Sequence, residues 1–417
     1  MSLLIKNIGR LYQTDGDGTP GQAITRKIVK GADMKTVPFI DNAWVLSEKG
    51  HIHSFGSMDN CPVSADKVMD ASGKLVLPSW CDSHTHLVYA HSREKEFVDR
   101  INGLTYEQIA ENGGGILNSA RKLQQSSEED LLESAWLRLG EIMDFGTGAV
   151  EIKSGYGLTT DSELKMLRVA KKLKEISPVT IKTTFLGAHA FPTEYKKNRE
   201  GYIKLIIEEM IPKVVDEGLA DYIDVFCDKG FYTPEEADRI LKAGIARGLR
   251  AKLHANELAN SGGIQVGVAN NAISVDHLEF TGDEEIASLL SGNTMPTLLP
   301  STAFFLGLQY APARKMIDAG LPVALASDYN PGTTPSGKIA FVLSLACLKM
   351  NMTPEEALNA VTVNSAKAMD LENECGSIAV GKKANFIITK KIPALSFIPY
   401  AFGSDVIESV IINGEIR

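Results

Sequence analysis

The sequence predicts an α/β chain: a (β/α)8 TIM-type barrel over residues 76–370, beside a small β-sandwich-like domain built from residues 1–75 and 371–417. Three observations carry this expectation. Short apolar, β-branched runs alternate with longer helix-patterned stretches through the middle of the chain. Eight such units can be counted, the number a closed barrel needs. Polar residues, histidines above all, gather just after the apolar runs, where a barrel keeps its working face.

In chain order, the N-terminal region holds short apolar segments, Leu3–Ile8, Ala43–Leu46 and Ile52–Phe55, parted by Gly, Asp and Asn turns. The expected barrel strands are Lys74–Pro78, Gly148–Ile152, Val179–Leu186, Tyr222–Phe226, Arg250–His254, Ala272–Val275, Thr294–Leu299 and Pro322–Ala326. Near-continuous apolar strands of this kind belong in parallel sheets covered on both faces. Between them, Thr233-Pro234-Glu235-Glu236 and Thr353-Pro354-Glu355-Glu356 each supply an N-cap, a proline at the first helical position and a glutamate at the third. Ser126 with Glu129 predicts another helix start, with Leu132, Trp136, Leu139 and Met143 on one face. The tail returns to β texture in Gly376–Val380, Asn385–Thr389 and Val406–Asn413, with a turn at Asn413-Gly414.

Composition narrows the function classes. With 43 Lys+Arg against 52 Asp+Glu the net charge is −9, which argues against a nucleic-acid partner, since that binding needs a basic face. Cys61, Cys81, Cys227, Cys347 and Cys375 are scattered and odd in number, so neither a disulfide framework nor a CxxC metal site is expected. No apolar run approaches the ~18 residues of a membrane span. The opening residues lack a signal-peptide pattern, so a cytoplasmic location is expected.

Of the eight histidines, five (His84, His86, His189, His254 and His277) fall at the ends of expected strands. His84 and His86 stand at i and i+2 of an extended chain, so both imidazoles can point the same way. With His254, and Asp328 after the eighth strand, they form a three-imidazole, one-carboxylate set that suits one catalytic divalent metal ion, zinc or iron. The competing readings are a core His277 hydrogen-bonded to Asp276 or Glu279, and Asp328 as a helix N-cap. His51 and His53 make a second HxH without downstream partners and read as structural; His91 reads as a loop residue. Gly113-Gly114-Gly115 lacks both a following Lys-Ser/Thr and a GxGxxG frame, so it reads as a flexible loop rather than a phosphate cradle.

Several stretches resemble the amidohydrolase superfamily. Leu75-Val-Leu-Pro-Ser-Trp-Cys-Asp-Ser-His84-Thr-His86 looks like its first-strand motif, and Gly376-Ser-Ile-Ala-Val-Gly-Lys-Lys-Ala-Asn-Phe386 like its C-terminal return strand. Ser92-Arg93-Glu94, Lys153-Ser-Gly-Tyr156-Gly, Leu186-Gly-Ala-His189-Ala, His254-Ala-Asn-Glu257 and Ala326-Ser-Asp328-Tyr-Asn330-Pro-Gly332-Thr333 extend the resemblance over essentially the whole chain. They point to the subgroup that opens the imidazolone ring in histidine degradation.

The resemblance implies hydrolysis of 4-imidazolone-5-propanoate to N-formimidoyl-L-glutamate by a homodimer. It implies metal binding by His84, His86, His254 and Asp328. It further implies substrate contacts from Arg93, Tyr156, His189, Glu257, Asn330, Gly332 and Thr333, with His277 beside the reacting water. Glu257 or Asp328 would accept the proton, and Arg93 suits the propionate carboxylate. Ser79 replaces the superfamily's usual glycine and Asn385 its usual aspartate, both away from the expected site. The enzyme alternatives are a cyclic amidine or nucleobase deaminase of the same superfamily and a binuclear cyclic amidase; the alternative from another class is a non-enzymatic scaffold. The binuclear form would want a lysine where Cys227-Asp228 stands, and a scaffold has no need of a complete ligand set.

Overall fold

The computed structural model describes residues 1–104, 108 and 114–417. Its N-terminal strands are β1 (Ser2–Tyr12), β2 (Phe39–Glu48), β3 (His51–Ser57), β4 (Lys67–Asp70) and β5 (Leu75–Pro78). The barrel strands are β6 (Trp80–Asp82), β7 (Thr147–Lys153), β8 (Thr180–Ala188), β9 (Tyr222–Cys227), β10 (Arg250–Ala255), β11 (Ser274–His277), β12 (Met295–Leu298) and β13 (Ala324–Leu325). The chain closes with β14 (Phe386–Thr389), β15 (Ile407–Ile412) and β16 (Glu415–Ile416).

The two chain ends share one mixed sheet in the order β16-β15-β14-β5-β1-β2-β3, with β4 pairing β1. Its apolar face buries Leu3, Ile5, Val45, Phe55, Phe386 and Ile411. Asn413 and Gly414 both have positive φ, 50° and 75°, the geometry of a two-residue hairpin joining β15 to β16. Strands β6 to β13 run parallel in chain order. The ring is drawn together by a parallel bridge between Thr85 and Tyr329 and by Asp328 N donating to His84 O at 3.0 Å. Ser327 N and Oγ donate to the two oxygens of Asp82 at 3.0 and 2.6 Å.

One expected barrel strand belongs elsewhere. Leu75–Pro78 pairs with β1 and β14 in the mixed sheet, and the barrel begins two residues later at Trp80. A four-residue apolar run carries no mark of which sheet it joins, because both bury it completely. The chain crosses between the sheets at Ser79. There Ser79 N donates to Asn385 O, and Asn385 Nδ2 packs against Gly148. The two departures from the superfamily pattern thus meet at one seam, away from the cavity described below.

Both Thr-Pro-Glu-Glu helices form with complete capping boxes at Thr233 and Thr353. The start expected at Ser126 is shifted: Ser127 accepts from Asp130 N and caps the helix Glu128–Asp144. Its buried stripe is Leu131, Ala135, Leu139, Ile142 and Met143, so Leu139 and Met143 are buried as expected while Leu132 is half-buried and Trp136 exposed. All five cysteines are free. Among the described residues no helix is long and apolar enough to cross a membrane.

Candidate active site at the barrel mouth

A cavity of about 350 Å³ opens where the barrel strands end. It is lined by His86, Arg93, Tyr156, His189, His254, Glu257, His277, Asp328, Asn330, Gly332 and Thr333, while His84 lies fully buried beneath it. The structure therefore brings every candidate site residue to one place from six different strand ends. His51 and His53 sit on exposed β3 positions, and His91 on an exposed loop.

Nitrogens of His84, His86 and His254 lie within 4.8 Å of one another. His84 Nε2 and His254 Nε2 are buried without hydrogen-bond partners, a costly arrangement for polar atoms unless something else binds them. Burial holds the pKa of His84 and His86 well below the ordinary imidazole range, so both are neutral, as metal ligands must be. These residues fit a divalent cation. Asp328 Oδ1 stands 3.5 Å from His84 Nε2 and 3.6 Å from His86 Nε2, and its Oδ2 accepts from Thr302 Oγ1 at 2.6 Å. Asp328 has φ 55° and caps no helix. His277 (φ 86°) and Leu278 (φ 71°) are likewise held in a conformation that side chains disfavour, strain of a kind that clusters at working sites.

Behind the histidines lies a layer of buried charge. His84 Nδ1 is 2.6 Å from Asp276 Oδ2, and His254 Nδ1 is 3.0 Å from Asp224 Oδ2. Asp276, offered above as a partner for His277, instead holds His84. His277 has Glu257 Oε2 at 3.7 Å from Nε2 and Glu279 Oε2 at 3.9 Å from Nδ1. Burial pushes Glu257 up to about 7. Burial alone would lower His277, but Glu257 and Glu279 outweigh it and raise the imidazole to about 10. Asp228 fixes the loop that carries Glu257 by accepting from Glu257 N and Leu258 N, at 2.7 and 2.9 Å.

The rest of the wall is built from backbone. Glu163, buried, accepts from the amides of Gly155, Gly157 and Leu158, folding the Ser154–Leu158 loop around Tyr156. Gly155 has φ +112°, and a Cβ there would meet His189 Nδ1 at 2.7 Å. His189 Nδ1 lies 3.1 Å from Gly155 O, so it carries the ring proton, and burial lowers this imidazole to about 3. Arg93 donates from Nε and Nη2 to Glu96 Oε2 at 2.8 and 2.5 Å, while its Nη1 packs on Gly332. Glu96 Oε1 accepts from Gly115 N at 3.0 Å. Gly113 of the triple-glycine run lies outside the described residues. Asn330 Oδ1 accepts from Gly332 N and Thr333 N, both at 2.8 Å, shaping the last loop.

Sequence reasoning missed Phe226 and Phe231, a ring pair 4.2 Å apart that walls the cavity, along with Glu163, Glu96 and the charged layer. A signal for that layer was present. Glu151, Lys153, Asp224, Lys252 and Asp276 are charged residues inside otherwise apolar parallel strands, where an unpaired charge is not tolerated.

A conserved-domain description, the amidohydrolase family, matches residues 75–417, and the chain belongs to that family of hydrolases. Within it the chain groups with sequences bearing one enzyme name. It is 56% identical over 417 residues to an imidazolonepropionase from Flavobacterium johnsoniae, covering 100% of both chains. It is 38% identical to another from Alkaliphilus metalliredigens, covering 100% of this chain and 98% of that one. In fold it is similar to a zinc-bound adenosine deaminase from Xanthomonas campestris (TM-score 0.70, 15% identity, 99% of this chain and 92% of that one). It is also similar to the E. coli guanine deaminase (TM-score 0.73, 14% identity, 100% and 98%).

Proposed function

We propose that this hydrolase opens 4-imidazolone-5-propanoate to N-formimidoyl-L-glutamate, a step of histidine degradation, as a cytoplasmic homodimer. One observation carries the reading: the four candidate ligands converge beneath a single cavity that also gathers Arg93, Tyr156, His189, Glu257, His277, Asn330, Gly332 and Thr333. His84, His86, His254 and Asp328 would hold one zinc or iron ion, since imidazole and carboxylate suit both. Such an ion, when bound, makes water a nucleophile near neutral pH and polarises the carbonyl it attacks.

The chain's own residues account for the rest. Water adds to the ring carbonyl and the ring C–N bond breaks, so the proton lost by water must reach the departing nitrogen. Glu257 suits that transfer, because burial sets its pKa near 7 and it can both take and return a proton there. His277, kept cationic by Glu257 and Glu279, offers a charged donor to the developing oxyanion. Arg93 presents Nη1 to the substrate carboxylate while Glu96 anchors its other edge. Tyr156, His189, Asn330 and Thr333 border the ring site, and Phe226 and Phe231 offer it a flat apolar wall.

The test is direct. Freshly generated imidazolone propionate should disappear on mixing with metal-replete protein and persist after chelation, with metal content measured on the same sample. No loss with replete protein overturns the proposal, and ammonia release from an aminated heterocycle would favour a deaminase.

A further inference from the structure

The charged layer beneath the histidines is more than inert filling. Lys153, at the end of β7, has Glu151 Oε1 at 2.7 Å, Asp224 Oδ2 at 2.8 Å and Asp276 Oδ2 at 3.5 Å from its Nζ. Lys252 closes on the other Glu151 oxygen and donates to Ser83 O at 3.1 Å. Thr184 Oγ1 donates to Glu151 Oε1, Ser274 Oγ to Asp276 Oδ1, and His254 N to Asp224 Oδ1. All five charged side chains are fully buried. Two ammonium groups thus face three carboxylates, and the surplus negative charge lies on the side of His84 and His254.

We propose that Lys153 is a positioning residue for the metal ligands: it holds Asp224 and Asp276 together, and through them fixes the ring orientation and tautomer of His254 and His84. His84 Nδ1 is hydrogen-bonded to Asp276 and His254 Nδ1 stands 3.0 Å from Asp224, so in each ring an Nδ1 proton turned toward the carboxylate leaves the Nε2 lone pair for the cation. Without the ammonium, two carboxylates would repel one another in a dry interior and draw the imidazoles with them. Lys252 pairs with Glu151 and with Ser83 O, the carbonyl before His84, rather than with either aspartate, so it steadies the backbone there without setting the Nδ1 partner of either ligand.

This inference rests on the ligand set proposed above. Zn²⁺ is titrated into metal-stripped protein in competition with a chromophoric chelator, and histidine tautomers are read from ¹⁵N shifts of the metal-free form. Lys153→Met should bind Zn²⁺ roughly 10–100-fold more weakly, the usual loss for an outer-layer partner, and show mixed tautomers at both His84 and His254. Lys252→Met should lose far less. Should Lys153→Met fail to fold, Asp276→Asn applies the same test to one ligand, with the tautomer change confined to His84. Wild-type affinity and tautomers in Lys153→Met, or in Asp276→Asn where it replaces it, overturn the inference. If His254→Ala binds Zn²⁺ normally, the ligand set fails and this inference with it. Weak binding by His254→Ala beside full binding by Lys153→Met would sink the Lys153 role alone.

Discussion

Gly332→Ala offers a sharp test of how substrate is gripped. Gly332 is not in the left-handed region, so alanine meets no positive-φ penalty there, yet its methyl would fall on Arg93 Nη1 and 3.0 Å from Cζ. The guanidinium must retreat by about 1 Å to recover van der Waals spacing. The guanidinium is rigid and its Nε and Nη2 are tied to Glu96, so it retreats as one plate hinged on that pair, which carries Nη1 off its position at the cavity. A hydrogen bond to a charged group contributes about 1.5–3 kcal/mol, which predicts a rise in KM of roughly 10- to 100-fold. The effect on kcat should be small, because the carboxylate is bound alike in ground and transition states. Steady-state loss of imidazolone absorbance measures both constants, and thermal melts should show an unchanged Tm. Adding Gly332→Ala to Arg93→Ala should do nothing further, since the two act on one contact. Wild-type KM in a folded Gly332→Ala protein, or additive losses in the double variant, would refute the reasoning.

Three further outcomes follow from the same geometry. If Glu257 must be ionised to accept a proton, kcat/KM should fall as pH drops below about 7, and Glu257→Gln should remove both the activity and that limb; a pH profile tests this. His254→Ala should lose tight metal binding along with turnover, as metal analysis after dialysis would show. Lys382 is buried and donates to Cys375 O and Ser377 Oγ, with no carboxylate paired to it among the described residues, and burial lowers its pKa to about 8. Between pH 8 and 10.5 the folded chain binds fewer protons at this site than the unfolded one, so its contribution to stability rises with pH. Wild type should therefore gain about 3 kcal/mol on Lys382→Met across that window, measured by denaturant melts at both ends. A constant difference would show that Lys382 is not held in the desolvated state described.

The histidines at strand ends and the Asp328 loop were legible because strand period and barrel polarity place them without any knowledge of packing. The capping boxes at Thr233 and Thr353 were legible for a similar reason, being closed within four residues. What escaped depends on partners far apart in sequence. Leu75–Pro78 reads as a barrel strand until β1 and β14 claim it. Asp276 reads as a neighbour of His277, yet it reaches His84 from the other side of the ring, 192 positions away. Phe226 reads as core, and becomes a cavity wall only because Phe231 folds back against it. Trp136 was misplaced because Leu131 and Ala135, one position earlier, fill the core side of the helix's first half, while Leu139 and Met143 are buried as expected.

The closing bridge between Thr85 and Tyr329 has a consequence for assembly. His84 and His86 flank Thr85 just after the first barrel strand, and Asp328 follows the last, so nearly the whole barrel separates them along the chain. A half-made ring would carry the pair and His254 without the carboxylate. With the proposed ligands, only the completed circle grips the ion, and the ion in turn favours completion. At a free concentration a hundredfold above its dissociation constant, such an ion adds about 2.7 kcal/mol to the folded state. The cation would then act as a clasp as well as a reagent. Starving the cell of metal would remove activity and loosen the last seam of the barrel together.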